Sequence, residues 1–297
     1  MKDNATNGAD DATSAAGGSI RSAVIDNAEA KAALAYADEA ATLPPDQIEP
    51  ERLMVSQNYD AYTDEDHEVW GILFGKRMEQ LADFGSRVFL DGAAAINLRA
   101  DRVPPLADVN ARLKPMTGWQ SHGVPGYLPA KAFFAFLAQR LFPTTITVRP
   151  KTSMDYLPEP DIIHDVFGHV PLHADPVFAD FLQTYGKAAL FASTEDHVTR
   201  LGRLFWFTVE FGLIHEEGTL KLYGSGLISS EGEGHHALES PDVDRRAFDL
   251  DRVCETDFEI DHYQPILYVL DSFEQLRDAM QSYAERVLEE AGASAGV

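Results

Sequence analysis

Pro158-Glu159-Pro160-Asp161-Ile162-Ile163-His164-Asp165-Val166-Phe167-Gly168-His169-Val170-Pro171 sets two histidines five residues apart in a largely apolar run. Pro158 and Pro160 stiffen the approach by fixing the backbone. Asp161 is placed to cap a short helix, and Gly168 with Pro171 is placed to stop it. On a straight α-helix, five steps turn two side chains about 140° apart. His164 and His169 therefore converge only where the helix is ending, and the Gly-His-Val-Pro stop supplies that end. Taken alone, such a pair is more often two ordinary polar residues than a metal site.

A second stretch bears on the first. Leu204-Phe205-Trp206-Phe207-Thr208-Val209-Glu210-Phe211-Gly212-Leu213-Ile214 carries one carboxylate in an almost wholly apolar helical run. A buried carboxylate without a partner is strongly disfavoured, so Glu210 meets a cation or changes its protonation state. An ion pair with an arginine and a place on an exposed stripe are the alternatives. Trp206 lies four residues before it and Leu213 three after, so that stripe is apolar as well. Two imidazoles and one carboxylate on one face leave coordination positions open, the arrangement of non-haem iron(II) oxygenases.

The rest of the chain sets the frame. With 297 residues, 45% of them hydrophobic, it is long enough for one sizeable core. Forty-eight acidic residues stand against 24 basic ones, a formal charge of −24. Such a surface repels nucleic acid and anionic membranes, and it reads as a well-solvated exterior rather than an acidic docking face. No apolar run approaches the ~18 to 20 residues that span a bilayer, and Met1-Lys2-Asp3-Asn4 opens no secretory signal. Cys254 is the only cysteine, which excludes an internal disulfide and cysteine-built zinc or iron–sulfur sites within one chain. These features point to the cytoplasm.

Residues 1–49 read as a low-complexity extension, disordered through about residue 18, with a possible helix over 20–41 ended by Leu43-Pro44-Pro45. The folded domain is expected over 50–290, with a short tail at 291–297. Thr63-x-x-Asp66 opens a helix carrying Trp70, Leu73, Phe74, Met78 and Leu81. Further helices are expected after Pro129, after Asp175-Pro176, over 195–214 and after Ser272-x-x-Gln275. Residues 144–149, 219–223 and 263–270 read as strands. The result is a mainly α single domain with a small β element.

Three motifs then carry a resemblance. Tyr156-Leu157-Pro158-Glu159-Pro160-Asp161-Ile162-Ile163-His164-Asp165 through Gly168-His169-Val170-Pro171-Leu172 resembles the iron-binding segment of the pterin-dependent aromatic amino-acid hydroxylases, most closely their bacterial phenylalanine-hydroxylating branch. Trp206-Phe207-Thr208-Val209-Glu210-Phe211-Gly212-Leu213 resembles the segment supplying the third iron ligand. Tyr223-Gly224-Ser225-Gly226-Leu227-Ile228-Ser229-Ser230 resembles the substrate-side loop. The likeness runs from about Tyr59 to Glu285.

The resemblance implies a catalytic domain of that family and 4-hydroxylation of L-phenylalanine to L-tyrosine, using Fe(2+), O2 and a tetrahydropterin (tetrahydrobiopterin or a bacterial analogue). It makes His164, His169 and Glu210 the iron ligands and Arg149 the clamp on the substrate carboxylate. Leu157, Pro160, Trp206, Gly226 and Ser229 become walls of the amino-acid pocket. Leu157 stands where animal members carry threonine and suits the bacterial branch. Gly126, Leu128 and Phe133 match the pterin-binding stretch, with Phe133 stacking on the ring. Asp165 replaces a glutamate of animal members, which shifts a water-mediated pterin contact. The family also implies pterin-recycling enzymes as functional partners. A monomer is expected, because the chain ends soon after the Ser272 helix without the heptad tail of tetrameric relatives. Hydroxylation of tryptophan or of another ring position is the alternative within the class, and a zinc hydrolase using the same triad is the alternative outside it.

His173, four residues after His169, is separated from it by Pro171 and reads as a non-ligand. His235-His236 reads as a solvated pair in an acidic loop, and Cys254 as a small buried hydrophobe.

Overall fold

The computed structural model describes residues 24–154, 160–192, 194–260 and 262–292. Helices α1 (Asn27–Ala40), α2 (Asp64–Phe84), α3 (Arg87–Ala95) and α4 (Leu106–Thr117) lead into strand β1 (Gln120–Val124), helix α5 (Ala130–Ala138) and strand β2 (Leu141–Thr145). Beyond β2 the histidine segment continues into α6 (Pro176–Phe191) and α7 (Glu195–Phe205). Strands β3 (Leu213–Glu216) and β4 (Thr219–Leu222) follow, then α8 (Ser225–Ser229) and α9 (Glu231–Glu239). Strand β5 (Asp244–Ala247), α10 (Leu250–Glu255), β6 (Ile266–Leu270) and α11 (Phe273–Glu290) complete the described chain.

Local chemistry starts these helices where the sequence marks them. The Thr63 hydroxyl accepts the Asp66 N–H while the Asp66 carboxylate accepts the Thr63 N–H, a reciprocal cap on α2. Asp175 accepts the Phe178 N–H at 2.9 Å, with Pro176 in the first turn of α6. Ser272 caps α11 through Gln275. Phe178, Phe181, Leu182 and Tyr185 on α6 then face α5 and α11, the latter through Leu276, Met280, Tyr283 and Val287. This stack forms the centre of the core behind the histidine segment.

Strands β1 and β2 pair in parallel around α5. A second sheet runs in the order β4-β3-β6-β5, antiparallel between β3 and β4 and parallel elsewhere.

Several expectations need correction. Helix α1 buries Ala33, Tyr36, Ala37 and Ala40, and the Tyr36 hydroxyl accepts the Glu49 N–H at 2.8 Å, so the packed body begins ahead of Pro50. The disordered tail expected over residues 1–18 lies outside the described residues. The strand expected at 144–149 is β2, centred on Pro143, because its register is set by pairing with β1 rather than by β-branched content. The helix expected over 195–214 ends at Glu210, and Leu213 and Ile214 are recruited into β3 by β4 and β6. His235 and His236 lie on helix α9, capped by Ser230.

Gly92 of α3 lies against the segment that follows His169. A Cβ there would stand 2.0 Å from the Pro171 carbonyl oxygen, a backbone atom that cannot swing away. Gly92→Ala is expected to cost about 1–3 kcal/mol or more by overpacking, lowering Tm by about 5 °C. A thermal melt checks this, and an unchanged Tm would mean that the two backbones are not pressed together.

Candidate active site

A cavity of about 1110 Å³ collects the predicted site residues. His164, Asp165, His169 and Glu210 line it, with Arg149, Pro160, Trp206, Gly226 and Ser229, and so do Gly126, Leu128 and Phe133. Leu157 lies outside the described residues, as do Tyr156, Pro158 and Glu159. That volume is large enough for an amino acid and a bicyclic cofactor side by side.

Both segments that carry the three candidate donors are wound as π-helix, Ile163–His169 and Trp206–Glu210. This corrects the reason for the histidines' convergence. The helix does not end between them; its i→i+5 winding sets residues five apart nearly above one another. The Nε2 atoms of His164 and His169 are 3.3 Å apart. Glu210 reaches both, Oε1 to His169 Nε2 at 3.1 Å and Oε2 to His164 Nε2 at 3.6 Å. Asp161 does cap the first segment, accepting the His164 N–H at 3.1 Å.

Hydrogen bonds behind these side chains orient them. Ser229 Oγ donates to the Ser225 carbonyl at 2.8 Å, so it accepts from His164 Nδ1 at 3.1 Å. His164 therefore carries a proton on Nδ1, and Nε2, which faces Glu210 and His169, is the nitrogen left for a metal. Ser225, fully buried, donates to Glu210 Oε2 at 2.7 Å. Burial works against the charged form of Glu210. The His169 and His164 imidazoles and the Ser225 hydroxyl outweigh it and hold the carboxyl at about 2. Gly224 makes this contact possible, since a Cβ there would stand 2.4 Å from the Glu210 carbonyl oxygen.

Asp165 competes for the role of third ligand. Its carboxylate and the two imidazoles offer ligand atoms within 4.8 Å of one another. However, its Oδ2 accepts the Thr145 N–H at 2.6 Å, and burial pushes its carboxyl up to about 6 against the pull of His164 and Thr145. Glu210 is ionised, touches both Nε2 atoms and is the better donor. Two imidazole nitrogens, which a metal would bind in their deprotonated form, and one carboxylate oxygen fit a divalent first-row metal with positions left open.

Arg149 is not free in the way its sequence context suggests. Its Nε and Nη2 donate to the two Asp161 oxygens at 2.8 and 2.9 Å, and Nη1 donates to the Met154 carbonyl at 3.2 Å. The Asp161 side chain is 1% exposed and that of Arg149 10%. Three of five N–H donors are used, which leaves one on each Nη for a second carboxylate.

Trp206 donates from Nε1 to Gln264 at 3.0 Å and stacks on Phe258 at 4.4 Å. Phe133 stands edge-on to Phe205 at 5.6 Å. Sequence reasoning missed Ser225, Gln264 and Phe258 as supports, the Arg149 partnership of Asp161, and Glu233, a cavity residue whose carboxyl burial lifts to about 7. Only Asp161, a charge between Pro160 and two isoleucines, left a signal that could have found it. His173 is buried and neutral, stacked 4.6 Å from Trp119, and Cys254 is buried.

A family model for biopterin-dependent aromatic amino acid hydroxylases matches residues 57–292, and the chain belongs to that family. The phenylalanine-4-hydroxylase of Chromobacterium violaceum is 42% identical over 223 residues, 75% of each chain. That of Caulobacter vibrioides is 40% identical over 235 residues, 79% of this chain and 80% of the relative. A crystal structure of the Chromobacterium enzyme with iron(III) and 7,8-dihydrobiopterin superimposes with a TM-score of 0.75 at 40% identity, covering 80% of this chain and 87% of that one.

Proposed function

We propose that this chain is a phenylalanine 4-monooxygenase that converts L-phenylalanine and O2 to L-tyrosine with a tetrahydropterin as the second electron donor. His164, His169 and Glu210 hold its iron(II). The observation that carries the reading is the convergence of these three donors, already oriented, in a cavity that also presents the Arg149 fork and the Trp206 ring. The identity to two bacterial phenylalanine-4-hydroxylases supports the choice of ring.

Bound there, iron(II) and the tetrahydropterin supply the oxygen activation. The chain's own residues do the rest. Arg149 fixes the substrate carboxylate through its two remaining N–H donors. Trp206, held by Gln264 and Phe258, and Pro160 set the ring's position, while Gly226 and Ser229 close the amino-acid side. Phe133 offers a flat face to the pterin beside Gly126 and Leu128, with the buried Asp165 lining the same cavity. Fixing both partners replaces a chance encounter by an oriented one and keeps water from the reacting atoms.

The protein acts as a monomer in the cytoplasm, with recycling enzymes restoring its pterin. Leu34, Ile72, Met116 and Val198 are exposed singly on α1, α2, α4 and α7, whereas Tyr127, Ile260 and Tyr263 gather at the cavity. No helix among the described residues is long and apolar enough to cross a membrane.

Product analysis from phenylalanine, tyrosine and tryptophan, with iron(II), O2 and a tetrahydropterin supplied, tests the reading. Tyrosine formed from phenylalanine, dependent on both iron and pterin, is expected. Preferred hydroxylation of tryptophan, or zinc-dependent hydrolysis without pterin, would overturn it.

A further inference from the structure

A buried guanidinium in the wall of the cavity has no carboxylate in ion-pair contact among the described residues. Arg77 of α2 is 4% exposed. Its Nε donates to the Ile228 carbonyl at 2.8 Å, its Nη2 to the Leu227 carbonyl at 3.0 Å and its Nη1 to Gln80 at 2.5 Å. Gln80 passes the connection to Glu231 at 2.6 Å, which Lys76 also holds at 2.6 Å.

The carbonyls that Arg77 holds belong to α8. Five residues are too few to sustain a helix alone. The carbonyls of its last turn have no partner within the helix, and Leu227 and Ile228 are fully buried. The same short helix carries Ser225 and Ser229, whose hydroxyls engage Glu210 and His164 at 2.7 and 3.1 Å. A shift of α8 therefore moves a hydrogen bond on two of the three donors at once.

We infer that Arg77 is a positioning residue for the metal centre, acting through α8 to fix the hydroxyls that orient His164 and Glu210. The inference rests on the metal-centre reading above. It assigns Arg77 no contact with substrate, pterin or metal. Its charge survives burial at neutral pH, because desolvation brings its pKa down only to about 10, with Glu231 opposing the shift.

Cobalt(II) alone is the probe, titrated into the purified full chain and followed by its visible d–d bands. Arg77→Met keeps the side chain's length and removes its donors. It is expected to weaken cobalt binding by about 10-fold, the lower end of what orienting partners contribute, and to shift the bands. Arg77→Lys, which returns a charged donor and protects against a misfolded first variant, is expected to recover part of the loss. In a Ser225→Ala/Ser229→Ala background, Arg77→Met is expected to change cobalt affinity no further. Unaltered affinity and bands in a folded Arg77→Met protein, even with a lowered Tm, would reduce Arg77 to a structural residue and overturn the inference alone. The same 10-fold loss persisting without the two hydroxyls would overturn it as well, by showing another route. Failure of cobalt to bind the unaltered protein, with His169→Ala no different, would overturn the metal-centre reading and this inference with it.

Discussion

His169→Ala is expected to lose most bound iron and essentially all tyrosine formation. The imidazole is 4% exposed, its Nε2 stands 3.1 Å from Glu210 and 3.3 Å from the His164 Nε2, and alanine offers no donor in its place. Outer-sphere partners alone shift metal affinity by roughly 10- to 100-fold, so removing a donor should exceed about 100-fold. The ring also packs on Phe142 at 4.9 Å, so some loss of stability accompanies the change. Glu210→Gln separates the two effects, since it keeps the shape and removes the charge. It too should lose iron, whereas Asp165→Asn should keep most of it, because the Thr145 N–H and not a metal answers that carboxylate. Iron content after anaerobic loading, beside tyrosine yield per pterin oxidised, decides the matter. An Asp165→Asn protein without iron beside an iron-replete Glu210→Gln protein would reassign the third ligand.

Arg149→Ala is expected to damage the protein at two levels. Loss of a charge-assisted, two-donor clamp on the substrate carboxylate should lower kcat/KM for phenylalanine by roughly two orders of magnitude. The sequence places Arg149 in neither the iron nor the pterin set, so both functions would survive. The structure alters that expectation. Removing Arg149 leaves Asp161 charged, 1% exposed and without its partner, at a cost of about 3–5 kcal/mol. Asp161 also accepts the His164 N–H, so iron retention should weaken along with Tm. Arg149→Lys keeps a cation beside Asp161 but loses the planar fork. It should restore most of the stability and iron while leaving much of the kcat/KM deficit. Steady-state kinetics, thermal melts and iron content on the same preparations distinguish the levels. Unchanged kcat/KM in both variants would remove Arg149 from substrate binding, and Arg140 or Arg203 would be the next residues to test. Both of those already face carboxylates, Asp180 and Asp257 respectively.

What could be read in the sequence was local or compositional. The caps at Thr63, Asp175 and Ser272 depend on hydrogen bonds three residues long, so their residue types suffice to find them. Glu210 stood out because a lone carboxylate in an apolar run demands an explanation. The site residues followed from motif resemblance, and every one that the structure describes lines one cavity.

Tertiary structure decided how those residues meet. The π winding of Ile163–His169 and Trp206–Glu210 has no residue signature; the surrounding packing settles it, and it aims His164, His169 and Glu210 at one point. The end of the helix at Glu210 was set by strand partners, Leu213 opposite Leu222 and Val269. Ser225 reaches Glu210 across 15 residues and Arg77 reaches Ile228 across 151, separations at which no spacing rule operates. Hydrogen bonds between neighbours leave their mark in residue order, whereas a buried donor is matched to its acceptor only when the chain has closed around both.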